Sequence, residues 1–354
     1  MNDEQLVLRL EAWLESRLGG PLTVTVHDRP GSGFSADNVV FSATVGGRTS
    51  KHVLRRESAE DSPYPEQAPG IGTGVALQST VMRALADVLP VATGVEFEPD
   101  PCILGVPFLV MDFIDGAVPV EVPPCTAEGF YAVAAPEFRR TMVQSGLDAL
   151  ARLHTAPWRE SGLSMLDDGS SPPGAQRQLH LWEAQLRQGL RGRRADVFDR
   201  TSEVLHSTMP SASDDVVLLW GDARPGNIIW DRTAGTPLCL TDFEGVAVGE
   251  RELDLGWWLM ADRWMHEGSD VARLDGEPTR AEQVAHYQRS AGTSVRELHW
   301  YELFAAYRFA STVVSVMNRW EQSGAVPSDH TIWRDNPATE LIAAILDEHS
   351  QAPA

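Results

Sequence analysis

The chain has 354 residues, with 29 basic against 50 acidic side chains and a net charge of −21. That length is enough for two lobes around substantial cores, and the charge repels phosphate backbones and anionic membranes, setting nucleic acid and lipid surfaces aside as partners. An acidic surface of this kind serves solubility and suits a cationic small molecule. Cys102, Cys125 and Cys239 have neither metal-ligand nor redox spacing, and the first residues alternate charge with apolar side chains instead of forming a basic patch and an apolar run. The expectation is a cytoplasmic protein with reduced thiols, no signal peptide and no membrane span.

Leu6, Leu10, Trp13, Leu14 and Leu18 recur at helical spacing and Gly19-Gly20 offers a cap, which predicts an amphipathic helix over residues 3 to 18. Strands follow. Leu22, Val24 and Val26 alternate with polar residues, Asn38 to Val45 is rich in β-formers, Gly46-Gly47 makes a hairpin turn, and His52 to Arg55 returns as a third strand. A helix over 74 to 88 and a strand, PFLVMDFI, complete a small α+β unit that ends near residue 114.

Beyond it the periodicity predicts helices over Phe138 to His154 and over residues 176 to 192, separated by a Gly/Ser/Pro-rich loop at 167 to 174. Two short apolar strands, VVLLW and PLCLTDF, flank a turn-rich segment, GDARPGNIIWDRTAGT. The remainder is helical in pattern, with Trp-rich core helices over 252 to 266 and 296 to 321. The organisation expected is two lobes, residues 1 to 114 and 115 to 354.

The chemistry concentrates in Trp220-Gly221-Asp222-Ala223-Arg224-Pro225-Gly226-Asn227 and, a hairpin later, Thr241-Asp242-Phe243-Glu244. Phosphoryl transfer needs a carboxylate to orient and deprotonate an acceptor hydroxyl, and oxygen ligands that hold magnesium on the nucleotide phosphates. Asp222 suits the first task and Asn227 with Asp242 the second, while Arg224 is within one loop of the transferring group and would stabilise its charge.

This pattern resembles the paired catalytic and metal loops of the aminoglycoside phosphotransferase family, relatives of protein kinases and choline kinases. The resemblance implies a bilobal protein-kinase-like α+β fold, ATP or GTP with Mg2+ as cofactors, and a small-molecule hydroxyl as acceptor. It gives Asp222 the base role and Asn227 and Asp242 the metal; Asp254, in GERELDLGWWL, would tie the catalytic loop down from behind. HVLRR resembles the strand that brings a basic residue to the phosphates, here Arg55. PGSGFSADNVVF resembles the phosphate-covering loop, with Gly33 and Ser35 near the nucleotide. PFLVMDFIDG is similar to the hinge that receives the base, Met111 lining the pocket and the backbones of Asp112 and Ile114 contacting it.

Three positions depart from the family pattern: Trp220 stands before Gly-Asp where His is usual, Arg55 replaces Lys, and Gln78 occupies the place of the Glu that pairs with that basic residue. Those departures keep a nucleotide-binding protein without transfer activity as the alternative. A metal-dependent hydrolase would need a His pair or carboxylate cluster that the sequence does not offer. Asp222 in a turn, Asn227 as a cap and Asp242 at a strand end each have ordinary structural readings. His154 reads as a helix-end residue near the dipole, and Glu244 as either a metal helper or a brace.

Overall fold

The computed structural model describes residues 1 to 27, 29, 36 to 58 and 60 to 351. Helix α1 (Asp3–Leu18) starts on the Asn2 side chain, which accepts from the Gln5 N–H, and stops at Gly19 with φ 74°, the left-handed cap that glycine favours. Strands β1 (Leu22–Val26), β2 (Ala36–Val45) and β3 (Arg48–Glu57) form the expected meander, longer at its third strand than the residue pattern predicts. Helix α2 (Val75–Leu85), strand β4 (Glu96–Glu98), the single turn α3 (Pro101–Leu104) and strand β5 (Phe108–Asp112) follow.

The antiparallel sheet runs β1-β2-β3-β5-β4, with Arg55 opposite both Asn38 and Leu109 in register. Because side chains alternate across a strand, its two faces meet different partners. Leu6, Leu10 and Trp13 of α1 pack with Phe41, Leu54 and Phe108 in one cluster. Leu109, on the other face, joins α2 in a second cluster that continues into the helical part of the chain.

That part holds α4 (Pro136–Leu153), α5 (Ala175–Leu190) and α6 (Asp196–Ser207), then the short strands β6 (Val217–Leu219), β7 (Ile228–Trp230), β8 (Pro237–Leu240) and β9 (Ala247–Gly249). It closes with α7 (Glu252–His266), α8 (Arg280–Ala291), α9 (Leu298–Gln322) and α10 (Pro337–Gln351). The four strands pair as two ribbons, β6 with β9 and β7 with β8. Between them they hold the polar segments singled out in the sequence. Trp258, Trp300 and Phe304 are buried in the helical core, as their stripe predicts. Among the described residues no helix is long and apolar enough to cross a membrane.

Candidate active site

The turn between β6 and β7 carries Asp222, and the turn after β8 carries Asp242. The ribbon register sets Ile228 opposite Leu240, and Thr241 donates its N–H to the Asn227 carbonyl at 2.9 Å, so Asn227 and Asp242 leave the ribbon side by side. Asn227 turns its amide Nδ2 onto the Asp222 carbonyl at 3.0 Å. Asp242 sits at φ 56°, ψ 62°, a left-handed conformation that costs a non-glycine residue about 1 kcal/mol or more and concentrates at functional sites.

Several groups brace the catalytic loop from behind. Asp254, on the first turn of α7, accepts from the Trp220 N–H at 2.6 Å and the Gly221 N–H at 2.9 Å. Trp220, in the place of the family His, sends its indole N–H to the Thr241 carbonyl at 2.8 Å and so ties the two loops together. His154 ends α4 buried between Tyr287 and Asp254, at 2.6 and 3.2 Å; it supports Asp254 and stands away from the reacting centre. Gly221 has φ 86°, and a Cβ there would drive into the Gly245 carbonyl, so glycine is required.

Asp222 is 5% exposed. Its Oδ1 accepts from the Trp257 indole at 2.8 Å and from Arg224 Nε at 2.8 Å; its Oδ2 accepts from the Tyr64 hydroxyl at 2.9 Å. Burial pushes the carboxyl up to about 6, against these donors and the Asn227 amide. A base poised there is ionised at neutral pH yet still a competent proton acceptor. Arg224, half-buried, reaches Glu121 with its other end, so its guanidinium is bracketed by two carboxylates.

Arg55 lies where the sequence puts the phosphate-binding cation. Its Nη2 is 2.6 Å from Asp242 Oδ1 and 3.1 Å from Glu244 Oε1, and although burial opposes its charge these carboxylates outweigh it and raise its pKa. Glu244 therefore supplies the acid that Gln78 cannot. Gln78 itself is buried on α2, and no side-chain partner bonds its amide among the described residues. At the hinge, Met111 pairs with Val53 across the sheet. The Asp112 N–H is taken by the Thr93 carbonyl at 2.9 Å, which leaves only its carbonyl to offer a base. The Ile114 N–H, by contrast, has no acceptor among the described residues. Gly33 and Ser35 lie outside the described residues.

Magnesium is the metal this donor set fits. An amide oxygen and a carboxylate are hard ligands, and Mg2+ is commonly held by one or two such groups with phosphates and water completing its shell. Among the described residues Arg55 Nε and Asn38 Oδ1 are buried without a hydrogen-bond partner, and Asp242 Oδ1 has only its ion pair with Arg55, as polar groups that receive charged phosphates and a cation would be. Among the described residues no cluster of three or more His, Cys, Asp or Glu competes as a metal site.

Four residues in this arrangement were not assigned from the sequence. Trp257 had a legible signal: three residues after Asp254, it shares that helix face. Arg308 was a lone cation in the apolar run of α9; it stacks on Trp257 at 4.5 Å and donates to the Gly221 carbonyl at 2.5 Å. Tyr64 and Glu121 come from irregular segments and carried no signal. Tyr64 also lines a cavity of about 400 Å³ with Glu57, Gln78, Gln185, Glu244 and Arg319.

A small antiparallel sheet over a helical lobe, with a buried aspartate, an Asn and a second Asp on adjoining turns, defines a kinase-like phosphotransferase. The chain's residues 28–306 match the model of the phosphotransferase enzyme family, APH, and the protein belongs to that family. Of the solved structures it resembles, a Ralstonia eutropha JMP134 protein assigned as an aminoglycoside phosphotransferase is 22% identical, covering 96% of this chain and 98% of its own, with a TM-score of 0.70. A GDP and kanamycin complex of another APH enzyme is 14% identical over 98% of this chain and 100% of its own, TM-score 0.53. Both likenesses concern the fold. A curated relative from Arabidopsis thaliana, named a probable acyl-CoA dehydrogenase, is 23% identical over 89% of this chain; the match spans 39% of that relative's length.

Proposed function

We propose that this phosphotransferase moves the γ-phosphoryl group of ATP or GTP to a hydroxyl of a small molecule, with Asp222 as the base and Asn227 and Asp242 as the magnesium ligands. The observation that carries it is the Asp222 carboxyl, buried, raised to about 6 and held on the same two turns as the metal-type donors. Residues up to 114 form the nucleotide lobe and the rest the acceptor lobe, the protein working in the cytoplasm.

Bound magnesium would neutralise charge on the nucleotide phosphates. The chain's own residues do the remainder. Ile114, with Met111 and the Asp112 carbonyl beside it, offers the hinge's polar edge to the purine. Gly33 and Ser35 would cover the phosphates, and Arg55 would exchange part of its pairing with Asp242 and Glu244 for phosphate oxygens. The acceptor hydroxyl gives its proton to Asp222 Oδ2 as its oxygen bonds the γ-phosphorus and the bond to the bridging oxygen breaks. Arg224 stabilises the charge that develops. All three departures from the family pattern are accommodated: Trp220 and Glu244 take over bracing and pairing, and Arg55 keeps the charge. The base and both metal donors are intact, which favours an active enzyme over a nucleotide-binding switch.

The lining of Glu57, Glu60, Asp61, Glu66 and Glu244 around the cavity and the net charge of −21 lean towards a cationic acceptor. Hydroxyacyl thioesters are among the acceptors the family resemblance brings, and the name of the Arabidopsis relative, a probable acyl-CoA dehydrogenase, is in keeping with them. Nucleoside diphosphate release measured across aminoglycosides, amino alcohols, sugars and hydroxyacyl thioesters tests the reading. At least one acceptor should stimulate release at least tenfold and lose that stimulation in Asp222→Asn. Stimulation that survives Asp222→Asn contradicts the base assignment.

A further inference from the structure

The base of this enzyme is covered by a side chain that the reaction does not call for. Asp222 Oδ1 is turned into the protein by Trp257 and Arg224, so Oδ2 is the oxygen left for an acceptor. The Tyr64 hydroxyl already donates to it at 2.9 Å. With Tyr64 in place Asp222 is only 5% exposed, and the phenol hydroxyl stands where an acceptor hydroxyl would have to sit on Oδ2. Of its three side-chain donors to that carboxylate, Trp257 is buried in α7 and Arg224 belongs to the catalytic loop. Tyr64 comes from outside the catalytic loop and the helical core, from the irregular link between β3 and α2.

That link is fixed on both sides of the tyrosine. Gln185 of α5 donates to the Ser62 carbonyl at 3.0 Å, Gln178 of α5 donates to the Gln67 Oε1 at 2.6 Å, and Arg319 of α9 pairs with Glu60 at 3.1 Å. The backbone is thus held across the cleft and the side chain alone is free to respond. It has somewhere to go: Tyr64 borders the cavity of about 400 Å³, which is also lined by Gln78. Gly245 makes room for its present position, since a Cβ there would meet the ring at 3.1 Å.

We propose that Tyr64 is a gate on the base: its hydroxyl occupies the seat of the acceptor hydroxyl on Asp222 Oδ2 and yields it, by swinging towards the cavity, only to an acceptor. The inference rests on the phosphotransferase reading of the same site. In the closed position the phenol keeps water from that seat and so suppresses the wasteful reaction. In that reaction a water oxygen bonds the γ-phosphorus, its proton passes to Asp222, and the nucleoside diphosphate leaves with the bridging oxygen. Tyr64 does not substitute for water as an acceptor, because burial beside Asp222 raises its pKa well above the ordinary range and holds the phenol protonated.

Tyr64→Phe removes the hydroxyl and little else. A hydrogen bond to a charged group is worth roughly tenfold, so the variant should release diphosphate from Mg-ATP or Mg-GTP without acceptor about tenfold faster. For any acceptor found, KM should fall by a comparable factor with kcat within twofold. Asp222→Asn added to Tyr64→Phe should abolish the gain. A second readout needs no nucleotide: the 15N resonance of the Trp257 indole, hydrogen-bonded to Asp222, reports that carboxyl's titration, and its midpoint should rise in Tyr64→Phe because a donor to the carboxylate is lost. A stationary midpoint places Tyr64 off the base in solution and overturns the proposal whatever the activity. Asp222-dependent turnover that Tyr64→Phe leaves unchanged or lowers, or a raised KM, overturns the gate while leaving the phosphotransferase reading intact. Phosphate found on Tyr64 after incubation with nucleotide makes the phenol an acceptor and likewise overturns it.

Discussion

At the scale of the residue, Asp222 concentrates the account's consequences. Its carboxyl is raised from the ordinary 3.8 to about 6 by burial, so phosphotransfer measured as kcat/KM should fall away as pH drops through about 6, when the base takes up a proton before it meets the acceptor. The same shift works on stability. A group whose folded pKa lies above its unfolded one stabilises the fold at pH below the unfolded value, and that contribution is lost as pH rises through the folded value. Between 3.8 and about 6 the loss amounts to about 3 kcal/mol. Asp222→Asn, which can keep hydrogen bonds to Trp257 and Tyr64, should therefore be more stable than the parent chain above pH 6, and the difference should close near pH 4. Urea denaturation across that range measures it, and a difference that grows on acidification contradicts the stated sign.

At this scale much of the site was legible. Asp222, Asn227, Asp242, Arg55 and Asp254 stand in short motifs whose spacing survives without knowledge of the fold, and the structure brings them together. The partner of Arg55 was not readable, because an acid can arrive from any element that packs there, and Glu244 does so from a turn 189 residues away. Tyr64 and Glu121 were hidden for the same reason: they lie in segments without periodicity, and their roles exist only through tertiary contact.

Among the elements, the helix carrying Asp254 decides whether the catalytic loop holds its shape. Two backbone N–H groups and His154 converge on one carboxylate. Asp254→Ala leaves them buried without a partner, which should cost roughly 3–5 kcal/mol, read as a lower urea midpoint. Asp254→Asn should cost less and partly restore activity. The longer elements were readable from their periods, α1 and α7 to the residue at their predicted bounds. Strands β4, β7 and β9, three residues each, are too short for alternation to register and exist because neighbouring chain offers them partners. Helix α6 was not read from the sequence, its signal diluted by the Arg-rich approach to it.

Over the whole molecule, the lobes are joined at the cleft by charge as well as by the hinge. Arg55 of the sheet reaches Asp242 and Glu244 of the helical part, so on the proposed reading nucleotide phosphates and magnesium would meet groups that already link the two. Ligand that binds only the folded state adds about 2.7 kcal/mol at a hundred times its dissociation constant. Mg-nucleotide should therefore raise the melting temperature, an effect that chelation of the metal removes.

Calorimetric titration of the protein with ATP and GTP, with and without magnesium and beside Asp242→Ala, tests the central claim most directly. Binding should be at least tenfold tighter with magnesium and should be lost in Asp242→Ala. Folded protein that binds neither nucleotide under any metal condition, or binds equally well in Asp242→Ala, would contradict it.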